Sequence, residues 1–140
     1  MAKPEAFLVD LDGTLALHQG HRNPYQWQLA HLDRPSRAVV TTVKALHAHG
    51  LAIVYLSGRP ESSRAITLAW LDEHVGVPGA LHLRADSDSR KDAAVKRELF
   101  QRHVKPSYRV LGVLDDRQQV VDMWRNELGL VCFQVAPGNF

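Results

Sequence analysis

The sequence holds one cysteine, Cys132. That excludes an intrachain disulfide and suits a reducing cytoplasm, so a cytoplasmic location is expected. Cys132 lies in an apolar run and reads as core. Long apolar runs are also missing. None has the length that crosses a bilayer, so no membrane partner is expected. The first predicted strand starts almost at the N-terminus, so no signal peptide is expected. Excess charge of one sign is lacking too. The net charge is +2, and composition alone does not point to nucleic acid. The eight histidines show no metal-ligand spacing such as HExxH, and none is given a role.

What is present is alternation. Apolar strand-like runs occur at Ala6–Val9, Leu51–Leu56, Ala80–Leu83, Tyr108–Leu114 and Leu130–Val135. Helical periods lie between them. Pro35-Ser36 opens one, with Val39, Val43 and Leu46 on one face and Gly50 as its stop. Pro60 opens a second that reaches about His74. Ser89 caps a third carrying Val95 and Leu99. A fourth follows Asp116 and turns Val120, Val121, Trp124 and Leu128 inward. Apolar strands alternating with helices predict a doubly wound, three-layer α/β sandwich around a central, mostly parallel sheet. The whole chain, 1–140, reads as one domain. Ligands of such folds bind beyond the carboxyl ends of the strands, which gathers Asp10, Ser57 and Asp115 at one rim. The stretch from Ala16 to Pro35 lacks clean periodicity and reads as a small insertion.

The strongest motif is Asp10-Leu-Asp12-Gly13-Thr14. Four apolar residues deliver two carboxylates to a strand end, beside a hydrophobic core, where charge is costly. Phosphoryl transfer explains the pair. Asp10 attacks the phosphate, Asp12 handles the leaving-group proton, and Mg²⁺ offsets the crowded negative charge. Gly13 permits a sharp turn that aims amides at a phosphate. A strand-end turn with an aspartate cap is the alternative for the DxD alone.

Ser57-Gly58-Arg59 offers a hydroxyl and a guanidinium fork to a phosphate, or a plain turn before Pro60. Ser89 and Asp92 have the spacing of a capping box. Asp92 and Lys96 share a helix face and can pair, with Lys91 as a competing candidate for the lysine that neutralises the phosphate. Asp115-Asp116-Arg117 ends an apolar run, and its carboxylates suit Mg²⁺, with helix capping by Asp116 as the alternative. Tyr25 and Trp27 either stack on a base or simply pack.

DxDGT, Ser57, a helix lysine and Asp115-Asp116, in this order, resemble the haloacid-dehalogenase phosphohydrolase superfamily. A closer resemblance, over nearly the whole chain, is to the 3′-phosphatase domain of bacteriophage polynucleotide kinase/phosphatases. It is carried by Asp10–Leu15, Arg22–Tyr25, Ser57–Arg59, Arg90–Lys96, the run Asp115–Arg125 and the tail Phe133–Phe140. The resemblance implies a HAD-like fold with a small insertion instead of a full cap domain. It implies Asp10 as nucleophile and metal ligand, and Asp12 as general acid/base with its main-chain carbonyl on Mg²⁺. Arg22, Ser57 and Arg59 would hold the phosphate or the strand end, with Thr14 and Gly58 beside them. Asp33 and Arg84 would belong to an extended substrate site. Asp92 and Lys96 would form the helix pair, which favours Lys96 over Lys91. Asp115, Asp116 and Arg117 would complete the metal and phosphate site.

The implied activity is a Mg²⁺-dependent 3′-phosphatase for DNA or RNA ends. These residues hold no GxxxxGK[ST] phosphate loop, so no 5′-kinase activity is expected of them, and a separate kinase or ligase is the expected partner. A phosphatase for a small metabolite would use the same catalytic residues and differ in its salt response. A non-catalytic module that binds phosphorylated ends would bind without turnover.

Overall fold

Successive residues of β1 (Glu5–Val9) point to opposite faces, and both faces are apolar. Phe7 and Val9 enter one core while Ala6 and Leu8 enter the other. A strand of that kind has no face to offer to water, so it sits in the middle of a sheet covered on both sides. The computed structural model describes residues 2–140. After β1 come β2 (Ala16–Leu17), β3 (Arg34–Pro35), α1 (Arg37–Ala48), β4 (Ala52–Pro60), α2 (Arg64–His74) and β5 (Ala80–Arg84). They are followed by α3 (Asp92–Leu99), β6 (Arg109–Asp115), α4 (Gln118–Asp122) and β7 (Cys132–Gln134). Five strands form one sheet in the order β5-β4-β1-β6-β7, and every pairing is parallel. Helices α1 and α2 supply Val39, Val40, Val43, Trp70 and Leu71 to one core. The segments around α3 and α4 supply Phe100, Val104, Val120, Val121 and Trp124 to the other. The three-layer α/β architecture is the expected one. No helix among the described residues is long and apolar enough to cross a membrane. Cys132 is a buried free thiol, and burial pushes its pKa up to about 12.

Several boundaries differ from the sequence reading. Pro60 does not open a helix. β4 runs through Ser57-Gly58-Arg59 to Pro60, then a 3₁₀ turn (Glu61–Ser63) leads into α2. Pro60 disfavours helical backbone at Arg59, which therefore stays extended. The pairing of β4 with β5 slips between Leu56 and Pro60, so Ser57–Arg59 lie in a bulge at the sheet's rim. Ser89 does not cap α3. That helix follows Lys91 without a side-chain cap, because Asp88 takes the Arg90 amide at 3.0 Å and shapes the turn itself. Ser36 does cap α1, accepting from the Val39 amide at 3.5 Å. Both α3 and α4 finish in π-helical turns, at Phe100–Val104 and Met123–Glu127.

The insertion after β1 is small and pinned. β2 and β3 pair antiparallel and bracket a 3₁₀ turn, Trp27–Leu32. The indole of Trp70 on α2 donates to the Asp33 carbonyl at 2.9 Å and ties this insertion down.

Candidate active site

β1 and β6 lie side by side, and the Asp10 amide donates to the Leu114 carbonyl at 3.0 Å. The chain then folds tightly. The Leu11 carbonyl accepts from the amides of Thr14, Leu15 and Ala16 at 2.9–3.0 Å. Gly13 takes φ +86°, and a Cβ there would lie 2.1 Å from Asp116 Oδ2. Glycine is required on both counts. This turn brings the Thr14 hydroxyl within 2.9 Å of Asp10 Oδ2 and 3.2 Å of Asp116 Oδ1. The other Asp10 oxygen accepts from Lys96 Nζ at 2.6 Å, and the same ammonium reaches Asp115 Oδ2 at 3.0 Å. Lys96 is buried while Lys91 is exposed, so the geometry selects Lys96.

Asp10, Asp115 and Asp116 are all buried, with one oxygen of each within 4.8 Å of the others. With all three ionised, three carboxylates against one ammonium would leave a buried charge of −2. Burial, and then the charge of Asp115, raise the pKa of Asp10 well above its ordinary value despite Lys96. Burial also raises Asp116. Lys96 is pushed up by Asp10 and Asp115 against the opposing effect of burial. An all-carboxylate donor set with this excess charge fits a divalent, oxygen-preferring cation. Asp115 is the more enclosed of the adjacent pair. Its Oδ2 accepts from Lys96 and from the Trp124 indole at 3.1 Å, and its Oδ1 from the Asp116 amide at 2.8 Å.

Asp12 belongs to a second cluster. Arg59 grips its carboxylate with Nε at 3.0 Å and a terminal nitrogen at 2.7 Å. Arg22 reaches it at 3.3 Å and His18 at 2.8 Å. Behind them Asp33 is 2 % exposed. It accepts from Arg22 at 2.9 Å, from Arg59 at 3.1 Å and lies 2.7 Å from His21. Burial alone would raise Asp12, but the hydrogen bonds from His18 and Arg59 win and hold it well below the usual carboxylate range. Arg22 and Arg59 thus spend their donors on Asp12 and Asp33, and Asp33 sits beneath them as a counter-ion. Both guanidiniums also lie over the Trp27 ring, at 5.0 and 5.4 Å. Trp27 therefore packs, whereas Tyr25 is 84 % exposed. The sequence reading gave no role to the histidines, since isolated histidines in an aperiodic stretch carry no spacing to read.

Ser57 is buried, and its hydroxyl accepts from the Arg59 amide at 3.0 Å, which braces the bulge. Asp92 does not bond Lys96. It is clasped by Arg84 and by Arg117, the latter at 2.8 Å. The Gly58 carbonyl accepts from Arg84 at 2.8 Å, and a Cβ on Gly58 would meet Asp92 at 2.5 Å. Arg84, Asp92, Gly58 and Arg117 therefore form one rim cluster beside the carboxylates.

Known proteins resemble this chain in sequence and fold. The family model for the polynucleotide kinase PNKP phosphatase domain matches residues 4–140. A putative bifunctional polynucleotide kinase/RNA ligase of Autographa californica nuclear polyhedrosis virus is 35% identical over 126 residues. That match takes in 88% of this chain and 18% of the viral protein. A chain in a solved Pnkp1/Rnl/Hen1 RNA repair complex superposes with a TM-score of 0.94 at 41% identity. The match covers 99% of this chain and 44% of that one. The class C acid phosphatase of Bacillus anthracis shares the fold at a TM-score of 0.68 and 20% identity, covering 99% of this chain and 68% of that one. This chain spans less than half the length of the viral and RNA-repair relatives. With a HAD-like sheet, two strand-end acids on β1 and a family match over nearly its full length, the chain belongs to the polynucleotide kinase PNKP phosphatase-domain family.

Proposed function

We propose that this chain is a Mg²⁺-dependent phosphatase that removes 3′-phosphates from RNA or DNA ends through an aspartyl-phosphate on Asp10. The observation that carries the reading is the setting of Asp10, with Lys96 on one oxygen, Thr14 on the other and a three-carboxylate cluster beside it. Asp10 and Asp116 would hold Mg²⁺, with Asp115 beside them and the Asp12 main-chain carbonyl as the family pattern implies. When bound, that ion would offset charge between the carboxylates and the phosphate oxygens.

The chain's own residues do the rest. An Asp10 oxygen attacks phosphorus in line, the bond to the 3′-oxygen breaks, and Asp12 in its protonated form gives that oxygen a proton. Water then attacks the phosphorus, Asp12 takes the water's proton, and the bond to Asp10 breaks to release phosphate. Before substrate arrives, His18 and Arg59 keep Asp12 ionised. An incoming phosphate competes for the same donors, which loosens their grip on Asp12 and lets it carry the proton. Lys96 holds Asp10 as a nucleophile and neutralises part of the charge that develops.

The nucleic-acid part of the reading rests on the family and on relatives named for polynucleotide and RNA repair. The small pinned insertion is consistent with it, because a strand end needs an uncovered rim. These residues lack a phosphate loop, so kinase and ligase steps would come from other domains or chains. The test uses two otherwise identical oligonucleotides, one with a 3′-phosphate and one with a 5′-phosphate, incubated with Mg²⁺. Selective release from the 3′-phosphate is expected, and Asp10→Asn should release none. Release only from a small phosphate ester would move the protein to metabolite phosphatases. Tight binding of ends without turnover would make it a binding module.

A further inference from the structure

Among the buried polar groups near Asp10, one has no part in the scheme above. Trp124 is 1 % exposed, and its indole N–H donates to Asp115 Oδ2 at 3.1 Å. Buried indoles need an acceptor, and side-chain donors most often find it in the backbone or in water. Trp70 uses that solution, donating to the Asp33 carbonyl. Trp124 instead spends its donor on a carboxylate that also receives Lys96 at 3.0 Å, and Lys96 in turn holds Asp10 at 2.6 Å.

The backbone around Trp124 is specialised as well. It lies in the π turn Met123–Glu127, closed by the Leu128 amide donating to the Met123 carbonyl at 3.2 Å. Such wide turns recur at functional sites. The facing π turn of the α3 segment presents Phe100, whose ring meets the indole edge-to-face at 6.0 Å and 78°. The indole is thus wedged in one orientation.

We propose that Trp124 is a positioning residue of the cation site: its N–H, held by the Phe100 wedge, fixes Asp115, and Asp115 fixes Lys96 against Asp10. The inference rests on the reading of Asp10 as the nucleophile beside a divalent cation.

The test is calorimetric titration of the whole protein with Mg²⁺ alone, which needs no substrate. Trp124→Phe is expected to weaken Mg²⁺ binding by roughly 10-fold, the low end for partners that orient a metal site, because Asp115 stands beside the ligands Asp10 and Asp116. In an Asp115→Asn background the same change should add nothing, since the donor's target is already altered. At saturating Mg²⁺, with any phosphate ester the wild type hydrolyses, kcat should fall while KM stays within about twofold, because Arg22 and Arg59 are untouched. Phe100→Leu keeps the N–H and loosens the wedge, and a weakening of a few-fold is expected.

Wild-type Mg²⁺ affinity in Trp124→Phe, or effects that multiply with Asp115→Asn, would overturn the proposal. Should Trp124→Phe fail to fold, wild-type affinity in Phe100→Leu would overturn it. A wild type that binds Mg²⁺ and ignores 3′-phosphates sinks only the substrate reading, whereas a wild type that binds no Mg²⁺ sinks this proposal.

Discussion

Asp10 shows how one residue's setting produces a measurable property of the protein. Its carboxyl is raised well above the ordinary value by burial and by the neighbouring carboxylates. The folded chain without a cation therefore binds a proton that the unfolded chain, at an ordinary pKa near 4, releases. That contribution to stability is fully present below about pH 4 and is lost as pH rises through the raised pKa. A divalent cation held by these carboxylates would replace the proton. In EDTA the melting temperature should fall as pH rises from about 4 towards neutrality. Mg²⁺ should raise it more at pH 7.5 than at pH 4.5. Equal Mg²⁺ shifts at both values, read by differential scanning calorimetry, would contradict this account. At the same scale the sequence exposes some roles and hides others. Asp10, Asp12 and Asp115 stand out because an apolar strand ends on a charge. The bonding of Arg22 and Arg59 to Asp12 and Asp33 is not legible, since those partners lie up to 47 positions apart and only the fold brings them together. Trp124 reads from the sequence as one more inward position of a helix, and nothing in the spacing shows what its nitrogen touches.

At the scale of elements, the bulge in β4 does the positioning. Ser57 braces it, Gly58 lets Asp92 come close, and Arg59 leaves it to reach Asp12. Gly58→Ala would place a methyl 2.5 Å from Asp92 Oδ1. Asp92 is short and is held from two sides by Arg84 and Arg117, so it cannot swing away freely. We expect a loss of roughly 1–3 kcal/mol in stability, the usual range for forced overpacking. Rim-dependent turnover on oligonucleotides should fall with it. A denaturant melt with an unchanged midpoint would show that the cluster yields easily. The central strands themselves were legible, since apolar residues on both faces admit little besides a covered parallel sheet. The end of β4 was not, because a proline after a short strand also looks like a helix start. The start of α3 was misread for a related reason. Ser89 and Asp92 have the spacing of a cap, yet Asp88 shapes the turn and Asp92 is drawn to arginines from β5 and from the segment after β6.

At the scale of the whole molecule, the acids Asp10, Asp115 and Asp116 sit buried around Lys96, and beside them Arg22, Arg59, Arg84 and Arg117 are paired with Asp12, Asp33 and Asp92. An incoming phosphate can compete with those carboxylates for the arginines. If strand ends are the substrate, the rim should meet backbone phosphates beyond the one being removed. Raising salt from about 50 to 200 mM should then raise KM for a 3′-phosphorylated oligonucleotide more than for a mononucleotide 3′-phosphate. Parallel salt curves would favour a small metabolite instead.

The bonds that build the site join distant parts of the chain. Lys96 and Asp10 are separated by 86 positions, Thr14 and Asp116 by 102. The central strand β1 must wait for β6, which comes late in the sequence, before its second edge is paired. Closing such long loops costs entropy before any contact rewards it, so these contacts are expected to form after the local ones. During synthesis, β1 leaves the ribosome with its acids exposed and no lysine or partner carboxylate to join them. A nascent or half-folded chain therefore has no phosphatase site at all, and activity should switch on in one step, with completion of the sheet.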